Sequence, residues 1–191
     1  MTQTIAPILA GLLATLLTMG SAAAQTVKLQ TTEGDIRIEL NAEKSPKSVA
    51  NFLQYVRAGH YNGVVFHRVI PNFMVQTGGY DAKLNQRPTK PPIPLESHNG
   101  LSNLRGSVAM ARTGDPNSAT SQFFINVVDN PFLDGEPTDP RSGYTVFGQV
   151  VDGMDVVDRI RATETKSAGM HENLPVKPIL ITKALVEPVK K

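Results

Sequence analysis

Phe66-His67-Arg68-Val69-Ile70-Pro71-Asn72-Phe73-Met74-Val75-Gln76 puts a permanent cation, an imidazole, an amide and large apolar side chains into eleven residues. The stretch is dense in strand formers. An Arg within an apolar strand is costly to bury unpaired, so Arg68 must face water, a carboxylate or a site. Gln76 and Gln122 are the neutral partners that could orient it. A guanidinium beside an apolar pocket suits a neutral substrate whose polarity changes during reaction. A second segment, Ser121-Gln122-Phe123-Phe124-Ile125-Asn126, has the same mixed character.

The rest of the chain frames these two segments. Its 191 residues, 40% hydrophobic and 19% charged, fit one globular domain with a substantial core. Nineteen Lys and Arg against seventeen Asp and Glu leave a net charge of +2, scattered along the chain. With no basic stripe interleaved with aromatics, nucleic acid is not an expected partner.

The first residues read as an export signal rather than as part of the fold. Ile8 to Met19 is a short apolar run, and Ala22-Ala23-Ala24 supplies the small-residue cleavage pattern. Cleavage after Ala24 would leave Gln25 first. The run is shorter than the roughly 20 residues that span a bilayer, so no stable membrane anchor is expected. There is no Cys. That excludes a lipid-modified amino-terminal cysteine and any disulfide, so an exported chain must rely on its core alone.

Beyond residue 24 the pattern is mostly strands. Val27, Leu29 and Thr31 alternate, Glu33-Gly34 offers a turn, and Ile36, Ile38 and Leu40 alternate again, as in a hairpin. Ser45-Pro46 predicts a helix start, with Ser45 as N-cap. Val49, Phe52, Leu53 and Val56 form its apolar stripe and Gly59 ends it. Strands are expected at Val64–Ile70, Ser107–Ala111, Gln122–Val127 and Tyr144–Val150, a second helix near Met154–Arg161, and a closing strand at Ile179–Val186. Residues 81–99, 136–143 and 163–177 read as long loops. Many short strands and only two helices argue for a mainly β fold, a closed barrel with helices over its ends.

Each chemical candidate has a bland counterpart. The four His residues lack ligand spacing and Cys partners, which disfavours a metal site. His67, alone on a strand, reads first as a hydrogen-bonded structural group. Ser121 lacks the Gly-x-Ser-x-Gly elbow of a hydrolase nucleophile, and the glycines form neither a phosphate loop nor a dinucleotide fingerprint. Phe73, Met74, Phe124 and Leu133 by themselves read as core.

The ordered motifs change that balance. Phe66–Gln76, Met110-Ala111, Ser121–Ile125, Phe132-Leu133-Asp134-Gly135 and Val146-Phe147-Gly148 together resemble the cyclophilins, from about Val27 to Val186. With the export signal and Ala111-Arg112-Thr113, the chain is most similar to the periplasmic cyclophilins of Gram-negative bacteria. The resemblance implies an eight-stranded antiparallel barrel capped by two α-helices, and a peptidyl-prolyl cis-trans isomerase in residues 25–191 that needs no cofactor or metal.

The same resemblance makes Arg68 the catalytic residue and assigns His67, Phe73, Met74, Gln76, Phe124 and Leu133 to the substrate site. Ala111 and Gln122 match contacts along the peptide groove. At Arg112, which replaces a common Asn, the backbone N–H is the expected contact. Phe132 stands where many members have Trp, and Tyr144 where many have His, so weak cyclosporin binding is expected. The implied partners are proline-containing peptides and unfolded exported proteins, met by a monomer in the periplasm. A proline-peptide binding module without turnover is the alternative, since one groove serves both.

Overall fold

The structure is a computed structural model and describes residues 25–188. The export signal expected at residues 1–24 lies outside that range. A hairpin of β1 (Thr26–Thr31) and β2 (Gly34–Leu40) opens the fold, followed by α1 (Pro46–Arg57). Then come β3 (Val64–Val65), β4 (Arg68–Ile70), β5 (Met74–Thr77), β6 (Ser107–Met110) and β7 (Phe123–Asn126). A 3₁₀ turn at Pro131–Leu133 precedes β8 (Val146–Asp152) and α2 (Met154–Arg161), and β9 (Thr165–Ala168), β10 (His171–Pro175) and β11 (Leu180–Val186) finish the chain.

The main sheet runs β3-β11-β1-β2-β8-β6-β7-β5-β4, and every pairing is antiparallel. Its two end strands are consecutive in sequence. The Val64–Ile70 run, expected as one strand, is interrupted at Phe66-His67. Phe66 N–H donates across to Ile179 O (2.9 Å) and His67 N–H to Gln76 O (3.1 Å), on opposite flanks. With that run counted once, the sheet has eight strands and closes on itself. Closure leaves no free edge to pair with another chain.

Side-chain alternation divides this wall into two faces. Val69, Val75, Ile125 and Val108 are in register across β4, β5, β7 and β6, and all are fully buried inside the barrel. Their neighbours Arg68, Gln76, Phe124 and Ala109 form the adjacent register row on the other face, extended by Val146. One β4-to-β8 wall therefore serves the core with one face and the candidate site with the other.

The helices pack where their apolar stripes predict. Phe52 of α1 meets Tyr61, Phe123 and Phe147 at ring-centroid distances of 5.3, 5.2 and 5.1 Å. Removing such a buried ring costs about 3–5 kcal/mol. In α2, Val156, Val157 and Ile160 are buried, while Met154 packs against the core only partly covered. Gly59, at φ +68°, lets His60 N–H reach Tyr55 O (3.0 Å) and Gly59 N–H reach Val56 O (3.0 Å), the Schellman closure of α1.

Two further expectations are corrected. Ser45 does not cap α1 with its side chain: its Oγ donates to Val146 O (2.7 Å). The cap comes from Glu96, whose carboxylate accepts from Lys47 N–H (3.1 Å), Ser48 N–H (2.9 Å) and the Ser48 hydroxyl (2.7 Å). An anion suits the positive end of the helix, and this one comes from the long loop at residues 81–99. The loop expected at residues 163–177 contains the β9–β10 hairpin. Its strands are largely polar and only partly covered, with just Leu174 and Pro175 buried, so no apolar alternation marks them.

Candidate active site

Arg68 lies half-buried on β4, in register with Gln76 of β5, which in turn is in register with Phe124 of β7. The side chains form an ordered line. Arg68 Nη1 donates to Gln76 Oε1 (3.4 Å), and Gln76 Nε2 donates to Gln122 Oε1 (2.9 Å). No carboxylate pairs with Arg68 among the described residues. The guanidinium keeps unspent donors and its full charge.

Gln122 is seated by glycines on the neighbouring segment. A Cβ on Gly79 would lie 2.7 Å from Gln122 Cδ and Nε2, and one on Gly78 would lie 2.4 Å from Ser121 O. Gly78 also has φ +98°, a conformation that L side chains rarely adopt. Its carbonyl accepts from the Ser121 hydroxyl at 2.9 Å. Ser121 is fully buried, so it is a structural link and not an exposed nucleophile.

Beside this polar line lies a second apolar cluster, separate from the barrel core. Met74, Ala109, Phe124, Leu133 and Val146 form it, with Phe73, Ala111 and Tyr144 packed against it. Phe132 is 71% exposed and stacks on Phe73 with centroids 5.6 Å apart. Phe124 meets Tyr144 edge-on at 5.7 Å, and the Arg112 guanidinium sits 4.7 Å from the Tyr144 ring centre. Arg112 Nε donates to Gly143 O (3.0 Å), tying the loop at residues 136–143 to this rim. Ala111 N–H is engaged with Gln122 O (3.0 Å), whereas no bond to Arg112 N–H occurs among the described residues.

His67 does not fit the expected hydrogen-bonded role fully. It is 5% exposed, and its Nδ1 has no partner among the described residues. Burial, aided by the nearby His171 and Arg68, pushes its pKa down to about 4, so the ring is neutral near pH 7. It packs instead against Tyr80 (4.8 Å between centroids), and Tyr80 packs against His171 of β10 (4.7 Å). Neither is marked in the sequence: His171 arrives on the unrecognised hairpin, and Tyr80 lies beyond β5 in the loop segment.

It also missed the floor of the site. Asn103, Asn126 and Asn130 are buried and hydrogen-bonded to one another beneath Phe73 and Leu133. Asn126, at the end of the mixed second segment, was the visible hint: an amide in a strand whose neighbours are all apolar. Among the described residues no three His, Cys, Asp or Glu side chains gather as a metal ligand set. No described helix is long and apolar enough to cross a membrane.

Known proteins share this arrangement of fold and motifs. The family model for cyclophilin type peptidyl-prolyl cis-trans isomerases matches residues 26–186. A peptidyl-prolyl cis-trans isomerase of Acinetobacter baylyi is 47% identical over 189 residues, covering 99% of this chain and 98% of that protein. Peptidyl-prolyl cis-trans isomerase A of Dickeya dadantii is 52% identical over 160 residues, 84% of this chain and 83% of its own. A cyclophilin crystal structure from Cryptosporidium parvum superposes with a TM-score of 0.71 at 27% identity, covering 86% of this chain and 98% of that one. That protein was also crystallised in the presence of the dipeptide Ala-Pro. With the same strand-and-helix fold and about half of the aligned residues shared with named isomerases, the chain belongs to the cyclophilin-type peptidyl-prolyl cis-trans isomerases.

Proposed function

We propose that Arg68 is the catalytic group of this isomerase and that Phe73, Met74, Phe124 and Leu133 hold the substrate proline. An X-Pro bond turns over a barrier of about 18–20 kcal/mol because the nitrogen lone pair is delocalised into the carbonyl. In the twisted transition state the lone pair returns to nitrogen. A donor aimed at that nitrogen binds the twisted amide better than either planar form, which is the requirement for catalysis. A guanidinium does this without acid–base exchange, since it stays protonated. The apolar walls disfavour the charge-separated planar amide by excluding water.

The observation that carries this reading is the anchored guanidinium: Arg68 on Gln76, Gln76 on Gln122, at the border of the apolar cluster. Gln122 and Ala111 then line the groove beside it, and the Arg112 N–H supplies a main-chain donor for the peptide. The neutral His67 ring acts as packing behind Arg68 rather than as a proton carrier. Phe132 and Tyr144 form the outer rim.

The expected clients are unfolded proteins exported to the periplasm, with the chain acting as a monomer after cleavage at Ala24. Two measurements test the cellular part. Amino-terminal sequencing of protein recovered from the periplasm of a Gram-negative host should give Gln25, and a proline-limited refolding phase of an exported protein should accelerate. An uncleaved Met1 start, or unaltered refolding, would contradict it.

A further inference from the structure

The three buried asparagines under the pocket form a directional relay. Asn130 Nδ2 donates to Phe73 O (2.9 Å) and to Asn126 Oδ1 (2.8 Å). Asn126 Nδ2 donates to Asn103 Oδ1 (3.1 Å) and to Ser107 Oγ (2.8 Å). Asn103 Nδ2 donates to Leu133 O (3.1 Å) and to Asp134 Oδ1 (2.9 Å). Asn103, Asn126 and Asn130 are 0%, 0% and 2% exposed, and the Nδ2 of each finds protein acceptors.

Two of the acceptors at the relay's ends are main-chain carbonyls of residues that belong to no strand. Phe73 sits in the turn between β4 and β5, and Leu133 in a 3₁₀ turn of three residues. Main-chain bonds tie each turn to its own surroundings, Val127 N–H to Phe73 O (3.1 Å) and Tyr144 N–H to Leu133 O (2.8 Å). The apolar contacts of the two side chains have no preferred direction. A buried chain of amide bonds is directional, and it couples the positions of the two turns it joins.

We propose that Asn103, Asn126 and Asn130 are positioning residues of the isomerase: their relay sets the separation of Phe73 and Leu133, and so the width of the proline pocket. The proposal rests on the reading of these two residues as pocket walls. A misplacement of about 1 Å at a site of this kind costs up to about a hundredfold in rate. Losing the relay is therefore expected to lower kcat/KM about tenfold in a protein that still folds.

The test is a double-mutant cycle in isomerisation of an Ala-Pro peptide, run below the melting temperature with native near-UV circular dichroism required. Asn103→Ala and Asn126→Leu are measured alone and combined with Leu133→Ala, and Ile38→Val, a mild change in the remote barrel core, controls for general destabilisation. The relay predicts an activity loss for either Asn variant that largely disappears when Leu133→Ala is already present, with Ile38→Val at wild-type activity. Full additivity, or unimpaired Asn variants while Leu133→Ala is impaired, overturns the relay alone. An unimpaired Leu133→Ala overturns the pocket reading and the relay with it. Should the variants fail to fold, the wild-type protein still decides: the side-chain amide resonances of Asn126 and Asn130 should shift on saturation with the Ala-Pro peptide, and unmoved resonances refute the proposal.

Discussion

Gln122 Oε1 accepts a hydrogen bond from Gln76 Nε2 at 2.9 Å, and this contact aligns the Gln76 carbonyl with Arg68. A guanidinium held by neutral amides keeps its charge uncompensated in a partly apolar setting, where a carboxylate partner would quench it. Gln122 is thus linked to Arg68 through Gln76, and its side-chain conformation is expected to influence where Arg68 points.

Gly79→Ala tests that dependence. The new Cβ would collide with the end of the Gln122 side chain, which is flexible enough to move aside. Stability should fall by no more than about 1 kcal/mol, within the range of ordinary point changes. Activity should fall about tenfold or more as Arg68 loses its alignment. Chemical denaturation together with isomerisation kinetics separates the two effects, and unchanged kinetics would show that Gln122 does not orient Arg68.

A pH dependence of stability follows from His67. Its folded-state pKa of about 4 lies below the ordinary imidazole value of 6.5, so the unfolded chain takes up a proton that the folded chain refuses. Stability is thus fully present above pH 6.5 and is lost as pH falls toward 4, by up to about 3 kcal/mol. His60 is lowered by burial as well and adds in the same direction. Urea unfolding between pH 7 and 4.5 should show this decline in the wild type and a shallower one in His67→Gln. Parallel curves would contradict the assignment.

At the amino end of α1, Glu96→Ala removes three hydrogen bonds from two backbone amides and a hydroxyl. The expected cost is about 1–3 kcal/mol in denaturant unfolding. Glu96→Gln should recover part of it, since one amide oxygen still accepts. Ser45→Ala tests the alternative site of capping and should act through Val146 rather than through the helix end.

At the rim, Phe132 stacks on Phe73 while exposing most of its surface. Cyclosporin is expected to inhibit weakly, and Phe132→Trp should tighten inhibition with little change in uninhibited turnover. Potent inhibition of the wild type at stoichiometric drug would refute this.

These predictions differ in how visible their residues are in the sequence. Alternation at Val27–Leu40 and the i, i+3, i+4, i+7 stripe of α1 are local signals, and both elements appear where the pattern puts them. Arg68 is conspicuous because a cation between Phe66 and Val69 demands an explanation from its immediate neighbours. Glu96 is invisible as a cap because it reaches α1 from about fifty positions away along the chain, and no local pattern encodes that distance. The β9–β10 hairpin is hidden for a different reason: its strands bury so little that their composition is that of a loop. The asparagine floor needs the register of β5, β6 and β7 before Asn126 can be seen to lie under Phe73 and Leu133.

The central claim is that Arg68 stabilises the twisted amide, and exchange spectroscopy on a short X-Pro peptide measures this directly. Wild-type protein should raise the cis/trans exchange rate far above the uncatalysed timescale of tens to hundreds of seconds. Arg68→Ala loses a charge-assisted hydrogen bond worth about 1.5–3 kcal/mol, and so should lose about ten- to 150-fold in catalytic efficiency while still binding the peptide. An Arg68→Ala variant that exchanges the peptide as fast as the wild type would contradict the mechanism.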